Sequence, residues 1–245
     1  MEIPPPRAPG PIRARRPSAL DRFHAAFPWD HNAHYHPWIL RQLPARVPRA
    51  LDLGSGSGDL ARLPAGRAGA VHAVDRDPAI TERARELTPP ELPVVFTVAD
   101  AAAGFPTGPY DVVTCVAALH HLPLTATLVR CRRALAPGGT LVVVGLYRPR
   151  TAVEHLLGAA AVPANAAMAL IRNGGRPARR PAAMTAPTRP ADTPFAEIAR
   201  EAGRVLPGAR LRRRLFWRYT LVWRRPPPGD GPAPERMDAR PTRGR

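Results

Sequence analysis

Short apolar runs, many of them β-branched, alternate with stretches of helical spacing through the middle of the chain. The runs are Arg49–Leu53, Ala70–Val74, Val94–Val98, Asp111–Val116 and Thr140–Tyr147. Each is apolar on both faces, as strands buried in a parallel sheet with crossover helices should be. The intervening stretches carry helix punctuation. Asp77-Pro78 offers an N-cap and a proline at the first helical position, followed on one face by Ile80, Ala84 and Leu87. Leu124, Leu128, Cys131 and Leu135 form a second stripe, ended by Pro137-Gly138-Gly139. A last helix starts at Thr193-Pro194, with Phe195, Ile198, Ala199 and Ala202 on one side. Beyond it, Leu215, Trp217, Tyr219, Leu221 and Trp223 alternate with polar positions. That period of two predicts an antiparallel edge pair with residues from about 209, although no Gly or Asn marks its turn. The pattern predicts an α/β fold on a mostly parallel sheet.

Composition narrows the setting. The chain has 245 residues, enough for one larger α/β domain, and its 33 prolines are more than twice the usual share. Residues 1–17 and 226–245 are rich in Pro and Arg with little to bury, and read as disordered tails around a single domain at 18–225. Two cysteines, Cys115 and Cys131, suit a reducing cytoplasm. The first residues lack the apolar core of a secretory signal, and no apolar run reaches the ~18 residues of a membrane span. A soluble cytoplasmic protein is the expectation. The formal charge of +17 divides unevenly: +5 over residues 1–50, +1 over 51–150 and +11 over 151–245. All 36 basic residues are arginine, which reads as coding bias rather than a surface built for phosphate. Nucleic acid is therefore not an expected partner.

The first strand runs into Asp52-Leu53-Gly54-Ser55-Gly56-Ser57-Gly58-Asp59. A strand, a glycine-rich turn and a helix let the backbone approach a ligand closely and offer free N–H groups. Asp59 stands where a dinucleotide fold has its third glycine, and an acid there repels a pyrophosphate. A cationic ligand without phosphates meets no such objection. Further landmarks follow in order. Asp75 closes the second strand 21 residues after Gly54, Asp100 closes the third, and Tyr110-Asp111-Val112-Val113 opens the fourth. Leu119-His120-His121-Leu122 comes next, then Arg133–Leu141 through the Pro-Gly-Gly turn. On these residues the chain resembles the class I S-adenosylmethionine-dependent methyltransferases, in the group that includes quinone-biosynthesis enzymes. The match is strong over 49–147 and loose over 193–225.

The resemblance implies a Rossmann-like seven-stranded sheet, mostly parallel with an antiparallel edge strand, and S-adenosylmethionine as cofactor. It places Gly54, Ser55 and Gly56 beside the methionine part, Asp52 at its amino group, Asp75 at the ribose hydroxyls and Asp100 with Ala101 at the adenine. Gly58, Arg76 and Val116 are further cofactor-binding residues. Asp77 and Asp111 read instead as a helix cap and a residue opening a strand. His120 and His121 are candidate bases, because imidazole titrates near neutrality. Residues 18–48 are expected to form helices over the cofactor, with Asn32, Tyr35 and His36 closing the site as a lid and facing substrate. In their plainest role these helices pack Phe23, Phe27, Trp38 and Leu40 on the sheet. Asp30, His31 and His34 have helical spacing that could suit a metal, but nothing completes a ligand set, so no metal is expected.

Residues 151–190 have no place in the minimal fold and read as an insertion on the substrate side. Leu156–Val162 and Ala166–Ile171 are apolar, and Pro163 between them predicts a broken helical pair. Such a pair would line a pocket for a lipophilic acceptor or simply pack. Arg172, Arg176, Arg179 and Arg180 allow at most a weak peripheral contact with an anionic membrane. The expected activity is methyl transfer to oxygen, nitrogen or carbon of a small molecule. An RNA methyltransferase and a non-catalytic cofactor-binding protein are the alternatives. A nicotinamide-dependent oxidoreductase is disfavoured by Asp59. The oligomeric state is not legible.

Overall fold

The computed structural model describes residues 18–185 and 189–227. The expected tails, 1–17 and all but the first two residues of 226–245, lie outside the described residues. Seven strands form one sheet in the order β3-β2-β1-β4-β5-β7-β6. They are β1 Val47–Leu53, β2 Ala68–Asp75, β3 Val94–Val98, β4 Tyr110–Val116, β5 Leu135–Leu146, β6 Arg210–Arg214 and β7 Arg218–Arg224. The first five are mutually parallel; β7 pairs antiparallel with β5, and β6 with β7. The helices are α1 Ala19–Ala26, α2 His31–Gln42, α3 Asp59–Ala65, α4 Pro78–Glu86, α5 Leu124–Ala134, α6 Ala152–Arg172 and α7 Phe195–Val205.

Side-chain alternation sorts the core into two layers. Leu51, Leu53, Val113, Cys115, Leu141 and Val143 face α5 and α7, whose Leu128, Ile198 and Ala202 complete that side. Ala50, Val112, Val142 and Val144 face the opposite layer, with Ile39 of α2 and Leu60 and Ala61 of α3. The strand order reverses between β1 and β4. Chains leaving the carboxyl ends of these two strands turn to opposite faces, which opens a crevice there.

Local chemistry accounts for most of the boundaries. Asp77 caps α4 by accepting from the N–H groups of Ala79 and Ile80, with Pro78 at the first position. Asp111 accepts from Arg49 N–H at 2.8 Å and so fastens the start of β1. The Pro137-Gly138-Gly139 segment does not stand as a turn before the fifth strand. It lies within β5, which begins at Leu135 and shifts register against β4 between Tyr110 and Val112.

Three expectations are corrected. Residues 152–172 form one continuous helix through Pro163, not a broken pair. Buried Ala161, Asn165 and Ala169 hold it on the protein at and beyond the proline, which outweighs one lost backbone bond. With 21 residues, α6 is also long and apolar enough to cross a membrane, contrary to the reading of its interrupted apolar runs. The strand alternation read from Leu215 begins only at Arg218. Leu215 to Trp217 form the hairpin loop, in which Phe216 (φ 61°) and Trp217 (φ 57°) both occupy the left-handed region. Bulky residues there cost about 1–3 kcal/mol each. The buried Phe216 ring offsets that cost by packing edge-on against Trp29, at 4.9 Å between centroids, while Tyr35 donates to the Leu215 carbonyl at 2.8 Å.

Phe23 and Phe27 pack with Trp29, Phe216 and Ala169 of α6 rather than on the sheet, whereas Trp38 and Leu40 do join the sheet core. Asn165 ties this region together. Its carbonyl accepts from Trp29 Nε1 and His31 Nε2, both at 2.7 Å, and its amide donates to His24 Nε2 at 3.0 Å.

Gly145 of β5 pairs with Tyr219 of β7, and a Cβ at Gly145 would lie 2.3 Å from the ring. Gly145→Ala is expected to destabilise the fold by about 1–3 kcal/mol. Combining it with Tyr219→Leu should cost less than the two single changes added together. Urea denaturation of the four chains measures the coupling.

Candidate functional site

The crevice between β1 and β4 holds one cavity, floored by the carboxyl ends of the first four strands. Two loops meet at its base. Gly54 has φ +71°, and a Cβ on it would lie 2.2 Å from the Cβ of Ala118, so only glycine lets the loops pass. Val74 of β2 accepts the N–H groups of Gly54 and Ser55 at 2.8 and 3.1 Å. Ala117, after β4, is also left-handed, with φ 50°.

Asp75, at the end of β2, organises the loop. One carboxylate oxygen accepts from Gly56 N–H at 2.8 Å and the other from Asp77 N–H at 3.0 Å. Each oxygen keeps a lone pair for a ligand. Asp100 accepts from Ala102 N–H at 2.8 Å and lines the same cavity with Ala101. Deeper in, Asp52 is 3% exposed and accepts from the Thr114 hydroxyl at 2.7 Å. Burial, with Asp75 adding to it against the Thr114 hydrogen bond, pushes its carboxyl up to about 6. Ser55 Oγ is buried without a hydrogen-bond partner.

The charge of this cavity is opposite to that of the chain. Asp30, Asp52, Asp59, Asp75, Asp77 and Asp100 line it, against Arg76 as the one arginine among its lining residues. Such a site attracts cations and repels phosphates. Val116, Ala118, Leu122 and Ala183 add apolar, uncharged lining to the same cavity, and His121 lines it too. Asn32 and His36 of α2 also line the cavity. Asn32 is held by Arg218, which donates to its side-chain oxygen at 3.1 Å.

Three sequence-predicted residues stand elsewhere. Gly58 caps α3 and backs onto Phe96, 2.7 Å from where its Cβ would be, and does not line the cavity. Tyr35 is buried in the core under α2, with its hydroxyl on Leu215. His120 turns away from the cavity and donates from Nε2 to the Arg189 carbonyl at 3.0 Å, while Arg189 donates back to the His120 carbonyl at 2.9 Å. Burial, then the neighbouring His121, pushes His120 down to about 4. The two imidazoles lie against each other, centroids 4.0 Å apart and planes tilted by 39°. His121 is lowered by burial and then by Arg76 and Arg189, with Asp75 opposing, so it is neutral at pH 7.

Sequence reasoning missed Asp30, Leu122 and Ala183 as lining residues. Asp30, weighed from the sequence only as a metal candidate, caps α2 by accepting from Asn32 and Ala33 N–H and also lines the cavity. Ala183 reaches the cavity from the far end of the insertion, a placement with no sequence signal.

Residues 51–143 match a family described as Methyltransferase domain. Over 204 residues the chain is 33% identical to an uncharacterized methyltransferase of Mycobacterium tuberculosis, covering 81% of this chain and 98% of that one. It is 31% identical over 139 residues to the ubiquinone biosynthesis O-methyltransferase of Thiobacillus denitrificans, covering 49% of this chain and 58% of the relative. The solved structure of the N-methyltransferase NodS from Bradyrhizobium japonicum, in complex with S-adenosyl-l-homocysteine, superposes with a TM-score of 0.50 at 18% identity. That alignment covers 85% of this chain and 97% of NodS. At that identity the likeness shows the fold. This chain belongs to the S-adenosylmethionine-dependent methyltransferases, and S-adenosylmethionine is its cofactor.

The raised Asp52 carboxyl has a consequence for stability. Its folded value of about 6 exceeds the ordinary 3.8, so the native state binds the extra proton and stability falls as pH rises from about 4 to 6. Asp52→Asn removes that loss. Relative to the native chain, the variant should gain about 2–3 kcal/mol on going from pH 4 to pH 7. Urea denaturation at both pH values checks it.

Proposed function

We propose that this chain transfers a methyl group from S-adenosylmethionine to a nucleophilic atom of a small lipophilic acceptor, with His121 as the base where a proton must leave. The observation that carries the reading is the make-up of the cavity: six aspartates line it together with an uncharged set of Val116, Ala118, Leu122, Ala183 and His121.

The residues fit the cofactor. A buried acid raised by desolvation gains from a cationic neighbour, so Asp52 suits the amino group of the methionine part. The unpartnered Ser55 Oγ and the open space over Gly56 leave polar atoms and room beside it. The free lone pairs of Asp75 suit the two ribose hydroxyls, and Asp100 suits the adenine amino group. Arg76 flanks the ribose position, and Ala101 and Val116 offer flat apolar surface to the ring. When bound, S-adenosylmethionine supplies an electrophilic methyl group on a sulfonium. The protein's work is then to align the acceptor and keep water out, with proton removal where the acceptor is a hydroxyl. Asn32 and His36 close the cavity from α2.

His121 suits the base role for two reasons: it lines the cavity, and it is neutral at pH 7. His120, turned away and lowered further, suits only a supporting role behind it. The apolar lining accepts an aromatic or alkyl group and offers a phosphate backbone nothing. The name of the Thiobacillus relative, a ubiquinone biosynthesis enzyme, supports a hydroquinone-like or phenolic acceptor.

Transfer of labelled methyl groups to a panel of alkylated phenols, hydroquinones and amines, with an RNA pool alongside, tests the reading. Turnover of the apolar phenols is the expected result; methylation of RNA alone would sink it. Asp75→Ala should weaken S-adenosylhomocysteine binding about 100-fold in calorimetry. With a phenolic acceptor at saturating cofactor, the rate should fall on the acid side of the ordinary imidazole range, as His121 protonates. His121→Asn should lower the rate about 100-fold or more and remove that acid limb, leaving cofactor affinity unchanged.

A further inference from the structure

Helix α6 is built inside out. Its polar residues point into the protein: Glu154 is bound by Arg213 at 3.0 Å, and Asn165 gathers Trp29, His31 and His24. Its outward side carries Val153, Leu156, Leu157, Val162, Leu170 and Ile171, of which Leu156 is 71% exposed, Ile171 70% and Val153 63%. Alanines and Pro163 fill the rest of that side between Ala152 and Ile171, and His155 is its one ionisable group. A surface helix facing water has the opposite arrangement, and a continuous apolar face of this length marks an interaction surface.

The ends of the helix say what covers it. Arg148 and Arg150 precede α6, and Arg172, Arg176, Arg179 and Arg180 follow it, all exposed. From residue 148 to 191 the one acid is Glu154, already held inside by Arg213. An apolar middle between two cationic collars is complementary to anionic headgroups over an acyl layer. A second copy laid antiparallel on this face would instead bring arginine collars together. Residues 1–17 and 228–245 hold only Met1, Ile3, Ile12 and Met237 as large apolar side chains, too few to cover it. Contacts on its inner side at Glu154, Ala161, Asn165 and Ala169 run along α6 and keep it against the domain, so it lies along a membrane rather than crossing it.

We propose that the outward face of α6 docks on the surface of an anionic lipid bilayer, with the helix axis in the plane of the interface. The docked helix connects directly to the site. The chain leaving it at Asn173 returns to place Ala183 in the cavity wall, and its Asn165 holds the segment that leads into α2. The proposal does not depend on which acceptor is methylated.

Flotation of the full chain with vesicles of phosphatidylcholine, alone or with one third phosphatidylglycerol, tests it. Binding to the anionic vesicles is expected, and about tenfold weaker binding to the neutral ones. Leu156→Asp with Ile171→Asp should weaken binding about tenfold or more, and Arg176→Glu with Arg179→Glu should remove the preference for anionic lipid. S-adenosylhomocysteine affinity, measured on every variant, should stay unchanged, so a lost fold is distinguished from a lost surface and no methyl transfer is needed. Leu156→Trp, a milder change, should shift its fluorescence to the blue on adding anionic vesicles. Native chain that binds S-adenosylhomocysteine but stays off anionic vesicles overturns the proposal. Vesicle binding unaffected by the Leu156 and Ile171 changes does the same. A dimer in light scattering that Leu156→Asp dissolves, without vesicle binding, hands the face to a second copy.

Discussion

The near-contact between Gly54 and Ala118 is the constraint on which the site depends. Strand order reverses between β1 and β4, so the loops leaving them diverge to opposite faces of the sheet, and they can cross only where one has no side chain. Everything that lines the cavity is positioned relative to that crossing. The loop after β1 is fastened to β2 through the Val74 carbonyl and the Asp75 carboxylate, and the turn after β4 carries its strain at Ala117. A side chain at Gly54 would therefore disturb the acidic and apolar lining together.

Electrostatics gives the crevice its selectivity. A chain of net charge +17 gathers six aspartates around one cavity. Burying one of them costs energy: desolvation raises the Asp52 carboxyl, with Asp75 adding a smaller push, and a cationic neighbour would offset that cost. The bias of the whole chain says little about its site. Arg76 is the one arginine lining the crevice; the other described arginines lie outside it, many of them on the last two strands and around α6.

Where one residue serves a local rule, the sequence was legible. Asp77 caps a helix, Asp111 opens a strand, and five apolar runs became five parallel strands with ends shifted by at most a few residues, except at β5. Asp75 and Asp100 could be placed because strand ends on the carboxyl side of such a sheet must face the crevice. The failures share a cause: tertiary packing overrode the local signal. Phe216 and Trp217 turn a hairpin that composition assigns to Gly or Asn, because a buried aromatic contact offsets the strain. Pro163 fails to break α6 because the residues around it are anchored. His120 and His121 are indistinguishable in sequence. One turns toward Arg189 and the other toward the cavity because the short helical turn sends neighbouring side chains different ways.

The boundary of the family match carries a further lesson about specificity. Residues 51–143 supply the crossing, five of the six aspartates and His121. What closes the cavity comes from elsewhere: Asn32 and His36 from α2, and Ala183 from the segment after α6. These pieces are also joined to one another. Asn165 links α6 to the start of α2, Tyr35 fastens α2 to the hairpin loop, and Phe216 seats that loop against Trp29. A change in one of them bears on the others through these contacts, while Asp52, Asp75 and Asp100 stay where the strand ends hold them. The alignment with the mycobacterial protein runs over 204 residues and so reaches well beyond 51–143, into parts of the chain outside the family match.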